Sequence, residues 1–118
     1  MKAIWALGNS AGDSATHRDI ILKHGALQPL LVTVDDPNIS QEILKQGVWA
    51  ISNLCRGSPL PKVEVVKSAI PTLCNVISSQ TDLDVLKDAI RALSHLSRSE
   101  TTIETVVSYS HVIPALVS

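Results

Sequence analysis

The 118-residue sequence contains few aromatic residues, no phenylalanine, only two cysteines and no marked excess of charge of either sign. The sequence has ten lysines and arginines and eleven acidic residues, which gives a formal net charge of -1. This balance excludes the cationic surface on which non-specific nucleic-acid binding and polybasic membrane binding depend. The longest apolar runs contain a handful of residues, whereas a membrane-spanning helix needs roughly 20. We therefore expect a single domain that resides in the cytosol or the nucleus.

The sequence also has few patterns that hold metals, cofactors or phosphates. Cys55 and Cys74 form no CxxC motif and lie in apolar helical patterns, which predicts reduced, buried thiols rather than a disulfide. The four histidines form neither a His pair at i, i+4 nor an HExxH motif, and we interpret them as surface residues. The five glycines are scattered and form no phosphate-binding loop. We expect no cofactor and no metal.

What the sequence does contain is an internal repeat. The segment WALGN at residues 5–9 returns as WAISN at 49–53 and, in a decayed form, as RALSH at 91–95, at spacings of 44 and 42 residues. A second marker, a proline within an apolar segment, recurs at intervals of 42 and 43 residues. Its members are Pro29, Pro71 and Pro114. A period of about 40–47 residues is typical of armadillo and HEAT repeats, whose helices stack into a solenoid.

Each repeat is predicted to contain a short, a middle and a long helix. In the best-covered repeat these helices span about 15–24, 26–34 and 40–56, and Gly25 ends the first of them. The core side of the long helix is predicted to consist of Ile43, Leu44, Val48, Ile51 and Leu54. The next long helix carries an apolar stripe of Leu83, Leu86, Ile90, Leu93 and Leu96.

A polar face with tryptophan recurs on these long helices, off the predicted core side. Residues four apart share a helix face, so Trp5 lies beside Asn9 and Trp49 beside Asn53. In a stacked solenoid the long helices line the concave surface, where these pairs would form a ladder. The same face extends over Glu42, Gln46 and Arg56 on one helix and over Asp84, Asp88, Arg91 and His95 on the next.

Such a ladder has the chemistry to capture an extended basic peptide. Indole faces accept the aliphatic stems and the cations of lysine and arginine, and an asparagine amide can bond a peptide backbone whatever its side chains. Asp13, Glu42, Asp84 and Asp88 are the acids within reach. The alternatives stay open at this point. A tryptophan at helical spacing is often a core residue, Asp13 could be a helix N-cap, and we interpret Asp35, Asp36 and Asp82 as solvated or capping residues.

The motifs resemble one known family. IWALGN at residues 4–9 with AGD at 11–13, and the segment from Trp49 through NLCR at 53–56, are similar to importin-α (karyopherin-α), the armadillo-repeat adaptor that reads nuclear localisation signals. The resemblance covers the entire chain. It implies an all-α, right-handed armadillo solenoid of about two and two-thirds three-helix repeats. The implied segments are the end of one repeat (1–12), two further repeats (13–57 and 58–99) and the start of a fourth (100–118).

The resemblance also implies roles for individual residues. Trp5, Asn9, Trp49 and Asn53 match the signal-binding groove, and Asp13 matches the acid that binds the essential lysine of the signal. The other implied groove residues are Gln46, Arg56 at the groove edge and the acids Asp84 and Asp88. Four positions depart from the family pattern: Gln46 replaces an asparagine, Arg91 a tryptophan, His95 a tyrosine and Ser10 an isoleucine. Arg91 should repel a basic peptide unless Asp84 or Asp88 neutralises it.

From the sequence we thus expect a nuclear import adaptor that shuttles between cytoplasm and nucleus and binds Lys/Arg-rich signals of cargo proteins. In the family, importin-β and an export receptor bind regions outside this sequence, and the repeat that completes the lysine pocket precedes it. An open groove excludes water poorly, so we expect no enzyme activity, even from the i, i+4 pair Asp84 and Asp88. The alternative is an armadillo scaffold of another family with a different partner. Apolar residues at both ends of the chain also suggest self-association.

Overall fold

The computed structural model describes residues 2–57, 61, 66–80 and 82–96. These ranges are all-α, as predicted, and the helices of the best-covered repeat begin and end within two residues of the predicted bounds. None of the described helices is long and apolar enough to cross a membrane. The predicted repeat start at 100–118 lies outside the described residues, and the repeat boundaries stay a prediction. The helices are α1 (Lys2–Asp13), α2 (Ala15–Lys23), α3 (Leu27–Asp35), α4 (Gln41–Leu54), α5 (Ala69–Ser79) and α6 (Leu83–Leu96).

Serine side chains begin α2 and α4. Ser14 has extended backbone, and its hydroxyl accepts a hydrogen bond from the His17 amide at 3.1 Å. Ser40 caps α4 through the Ile43 amide at 3.3 Å. These bonds satisfy amide groups that have no partner within the helix. The alternative in which Asp13 caps α2 is therefore wrong, because Asp13 is the last residue of α1 and Ser14 occupies the N-cap.

Of the three acids interpreted as solvated or capping, two have capping roles. The Asp36 carboxylate accepts the Asn38 amide at 2.9 Å, and Asp82 accepts the amide of Asp84 at 2.9 Å, where α6 begins. Asp35 is exposed, but its carboxylate also accepts a hydrogen bond from the Thr72 hydroxyl at 3.1 Å. Asp35 thereby links α3 to α5.

Helix α4 is the centre of the described structure, because it packs against α1, α3 and α6. Four of its five predicted core residues are buried, and Ile43 is half-buried. The contacts with helices on several sides bury further residues that the sequence pattern did not include, and besides Gly47 there are three of these. They are Ala50, Ser52 and Asn53.

The predicted apolar stripe on α6 is only partly correct. Leu93 and Leu96 are buried, but Leu83 and Ile90 are 79% and 41% exposed. The side of α6 that packs against α4 and α5 contains the small residues Ala89 and Ala92, which allow a close approach of the helices. The predicted stripe thus included part of the buried side, through Leu93 and Leu96, and missed Val85 and the two alanines.

The two thiols are free and buried, as predicted. Burial raises the pKa of the Cys55 thiol to about 12 and also raises the pKa of Cys74, because a thiolate is poorly solvated in the core. Both residues therefore pack as small apolar side chains at neutral pH.

Helices α3 and α4 meet closely at Gly47, where a Cβ atom would lie 2.7 Å from a Val34 methyl group. Gly47→Ala should therefore lower the free energy of unfolding by about 1 kcal/mol. The overlap costs roughly 1–3 kcal/mol, which outweighs the gain in helix propensity of about 1 kcal/mol. Urea denaturation followed by circular dichroism measures the change. A double-mutant cycle with Val34→Ala should show coupling between the two sites, whereas additive effects would contradict the packing described.

Candidate functional site

A cleft of about 650 Å³ opens where the end of α1, the start of α2 and the end of α4 meet. We call it the α1–α4 cleft. It is partly polar, it carries one acid and one arginine, and it brings together residues far apart in the sequence. The lining residues are Asn9, Ser10, Gly12, Asp13, His17, Trp49, Asn53 and Arg56.

Five of the nine site residues predicted from the sequence line the cleft. These are Asn9, Asp13, Trp49, Asn53 and Arg56. The other four lie outside its lining. Trp5 and Gln46 each lie about one helical turn before a cleft residue, and Asp84 and Asp88 are on α6.

The indole of Trp49 is half-buried and packs on α1 at Gly8. A Cβ atom at Gly8 would overlap the six-membered ring of Trp49, so only glycine allows this contact. Trp5, at the equivalent position of the preceding repeat, is 58% exposed. Both tryptophans are thus partly exposed, as expected for a ladder, but only Trp49 lines the cleft.

Asn53 combines a structural bond with access to the cleft. It is only 7% exposed, and its Nδ2 donates a hydrogen bond to the Gly8 carbonyl at 2.9 Å. The sequence pattern did not indicate this bond, because its acceptor lies 45 residues earlier on α1. The second N–H and the amide oxygen of Asn53 have no hydrogen-bond partner among the described residues. This capacity is available in the cleft.

Asp13 and His17 face each other across the junction of α1 and α2. The Asp13 Oδ2 and His17 Nδ1 atoms are 3.3 Å apart, and the two side chains are 71% and 51% exposed. His17 is exposed, as predicted, and its spacing of four residues from Asp13 was the signal in the sequence for this pair, although the two residues lie on different helices.

A buried arginine holds the end of α4 next to the cleft. Arg18 is 1% exposed, its Nη1 donates to the Arg56 carbonyl at 2.8 Å, and two of its nitrogens contact Asp19. Gly57 has a φ of 115°, and a Cβ there would lie 2.8 Å from Arg18 Nη1. Arg18 thus fixes the backbone that carries the exposed Arg56 side chain. No sequence motif indicated this role, since the partner lies 38 residues away.

On the α6 side of α4 the acids have cationic partners. Lys45 Nζ lies 3.0 Å from Asp84 Oδ2, and this hydrogen bond lowers the pKa of Asp84 and raises that of Lys45. Arg91 Nη1 lies 3.7 Å from Asp88 Oδ1. Burial nevertheless raises the pKa of Asp88, against the opposing effect of Arg91. Both acids are therefore partly neutralised.

Gln46 is half-buried, and its Oε1 atom has no hydrogen-bond partner among the described residues. It lies on α4 one turn before Trp49 and is not among the residues that line the cleft. Within the ranges that the structure describes, no three His, Cys, Asp or Glu side chains are grouped as they would be around a metal ion.

The repeat offers a matched test of the Asn53 bond, because Asn9 occupies the equivalent position and is exposed. Asn53→Ala should lower the free energy of unfolding by about 1–2 kcal/mol, through the lost hydrogen bond and the space left behind. Asn9→Ala should change it by less than about 0.5 kcal/mol. Urea denaturation of the two variants measures these changes in the free energy of unfolding. Equal effects would mean that the bond to Gly8 does not hold the two helices together.

Comparison with known proteins supports the fold. Residues 58–98 match the family model described as Armadillo/beta-catenin-like repeat. A designed armadillo repeat protein, solved in complex with the peptide (KR)4, aligns with a TM-score of 0.76 and 26% sequence identity. The alignment covers 91% of this chain and 44% of that one.

Relatives match the whole length of the chain more closely in sequence. Importin subunit alpha-1b of Oryza sativa subsp. japonica and importin subunit alpha-2 of Arabidopsis thaliana are each 44% identical over 98% of this chain. A probable importin subunit alpha-A of Dictyostelium discoideum is 35% identical over 96%. The chain spans about one fifth of the length of the first two relatives. These findings confirm both predictions: the chain is an all-α armadillo solenoid, and it is similar to importin-α along nearly its whole length.

Proposed function

We propose that the α1–α4 cleft binds extended Lys/Arg-rich segments, and that the protein is a non-enzymatic nuclear import adaptor of the importin-α type. The observation that carries this proposal is the exposed Asp13 carboxylate beside the Trp49 indole and the Asn53 amide in one cleft. Each of the three supplies a different part of the recognition.

Asp13 supplies the charge. A lysine ammonium or an arginine guanidinium that enters the cleft can bond the Asp13 carboxylate, which is 71% exposed. A charge-assisted hydrogen bond of this kind is stronger than a neutral one. Because the carboxylate is at the surface, the attraction is screened over roughly 8–10 Å at physiological salt. Binding should therefore weaken as salt is added.

Trp49 and Asn53 supply contacts that do not depend on charge. The part of the Trp49 indole not packed on Gly8 offers an apolar surface for the aliphatic stem of a basic side chain. The free N–H and oxygen of Asn53 can bond the peptide backbone, which holds an extended chain without selecting its side chains. Together they favour an extended ligand with basic side chains at intervals.

On α6, the position that corresponds to Trp49 is less suited to bind a cation. Arg91 takes the place in α6 that Trp49 takes in α4, and its side chain is half-exposed. Asp88 compensates part of its charge, while Asp84 is engaged by Lys45. We therefore assign the main basic contact to the α1–α4 cleft and expect little affinity for a cation on α6.

The relatives support this function. The importin-α subunits are similar over the whole chain, and the designed armadillo protein was solved with a basic peptide. By the same similarity we propose cargo proteins with nuclear localisation signals as partners, importin-β and an export receptor as partners of a longer protein, and shuttling between cytoplasm and nucleus.

The test is calorimetric titration with an acetylated octapeptide of alternating lysine and arginine. Asp13→Asn should weaken binding by about tenfold, since one charge-assisted hydrogen bond is lost, and Asp13→Lys should abolish it. Asp36→Asn is the matched control, because Asp36 is an exposed acid outside the cleft.

Two outcomes would contradict the proposal. If Asp36→Asn weakened binding as much as Asp13→Asn, the attraction would be general rather than local to the cleft. If an octaglutamate peptide bound as tightly as the basic one, the protein would be a scaffold for another class of partner.

A further inference from the structure

We propose that His17 and a basic ligand compete for the Asp13 carboxylate, so that His17 sets how tightly the α1–α4 cleft holds a Lys/Arg-rich segment and makes that binding depend on pH. The inference rests on the proposed function. It adds a specificity-determining residue to the site, one that the ladder pattern did not include.

The geometry makes His17 a neighbour of the bound cation. It lies in the first turn of α2, fixed by the bond from its amide to Ser14, with its ring 3.3 Å from the Asp13 carboxylate. Both side chains line the same cleft and are more than half exposed. A basic group that bonds Asp13 Oδ2 therefore approaches or displaces the imidazole.

Charge determines whether that approach is favourable. In the part of the chain that the structure describes, the charged groups that share the cleft with His17 are Asp13 from α1 and Arg56 after α4, while Arg18 on α2 itself is paired with Asp19. With a neutral imidazole the described residues of the cleft lining carry no net formal charge, because Asp13 and Arg56 balance each other. Protonation of His17 gives the lining one net positive charge next to the atom that binds the ligand. A cation is then repelled.

Linkage gives the direction of the effect. If the ligand and the proton on His17 oppose each other, binding releases protons, and the affinity falls as pH decreases through the range in which histidines titrate, roughly pH 8 to 5. The interaction is between exposed groups, so we expect a change of about two- to fivefold. It should diminish with salt.

The experiment compares the full chain with two variants, using the acetylated octapeptide of alternating lysine and arginine at pH 7.8 and pH 5.8. His17→Gln removes the titration and keeps a polar side chain of similar length. His24→Gln is the control, because His24 is an exposed histidine that follows α2 and does not line the cleft. Circular dichroism at both pH values verifies that each variant is folded.

The unmodified chain and His24→Gln should bind about two- to fivefold more weakly at pH 5.8 than at pH 7.8, whereas His17→Gln should bind equally at both. Titration in two buffers with different ionisation enthalpies should show proton release for the unmodified chain and none for His17→Gln. An equal pH dependence in the unmodified chain and His17→Gln, or no pH dependence in the unmodified chain, would overturn this inference and leave the proposed function standing. Absence of binding at both pH values would contradict both.

Discussion

The close approach of α1 and α4 at Gly8 is the contact on which the cleft depends. The Trp49 ring occupies the space that any side chain at Gly8 would need, and Asn53 bonds the Gly8 carbonyl from the next turn of α4. Trp49 and Asn53, the Trp-Asn pair of the following repeat, therefore both contact the same residue of α1. With a larger residue at Gly8, the indole could not lie on α1, and the two walls of the cleft would separate.

Around this contact, some groups stabilise the structure and others remain available to bind a ligand. Ser14, not Asp13, caps α2, so the Asp13 carboxylate stays available to a ligand. Arg18 bonds the Arg56 carbonyl and leaves the Arg56 side chain exposed. The Asn53 amide group has both roles, because it bonds the Gly8 carbonyl and keeps a further donor and acceptor for a ligand. The site is thus built from helix ends and one helix face, held by buried bonds and open toward solvent.

Periodicity in the sequence predicted the helices, the buried thiols and most of the α4 core, because these features depend on local pattern and on the repeat. It could not predict what depends on neighbouring helices. The burial of Asn53 follows from the nearness of Gly8, 45 residues earlier, and the burial of Arg18 follows from the end of α4. The exposed Leu83 and Ile90 show the same limit, since the buried side of α6 includes Val85 and two alanines that the predicted stripe did not contain. The pair of Asp13 and His17 was within reach of sequence reasoning, as i, i+4 neighbours of complementary chemistry.

The central claim is that one cleft, between α1 and α4, receives the basic segment. The most direct measurement is a nuclear magnetic resonance titration that follows the two indole N–H signals and the side-chain amide signals as the octapeptide of alternating lysine and arginine is added. Our account predicts that the signals of the Trp49 indole and the Asn53 amide shift in a saturable way, and that the Asn75 amide, in the separate depression between α3 and α5, does not. Saturable shifts at Asn75 with none at Trp49 and Asn53 would contradict it.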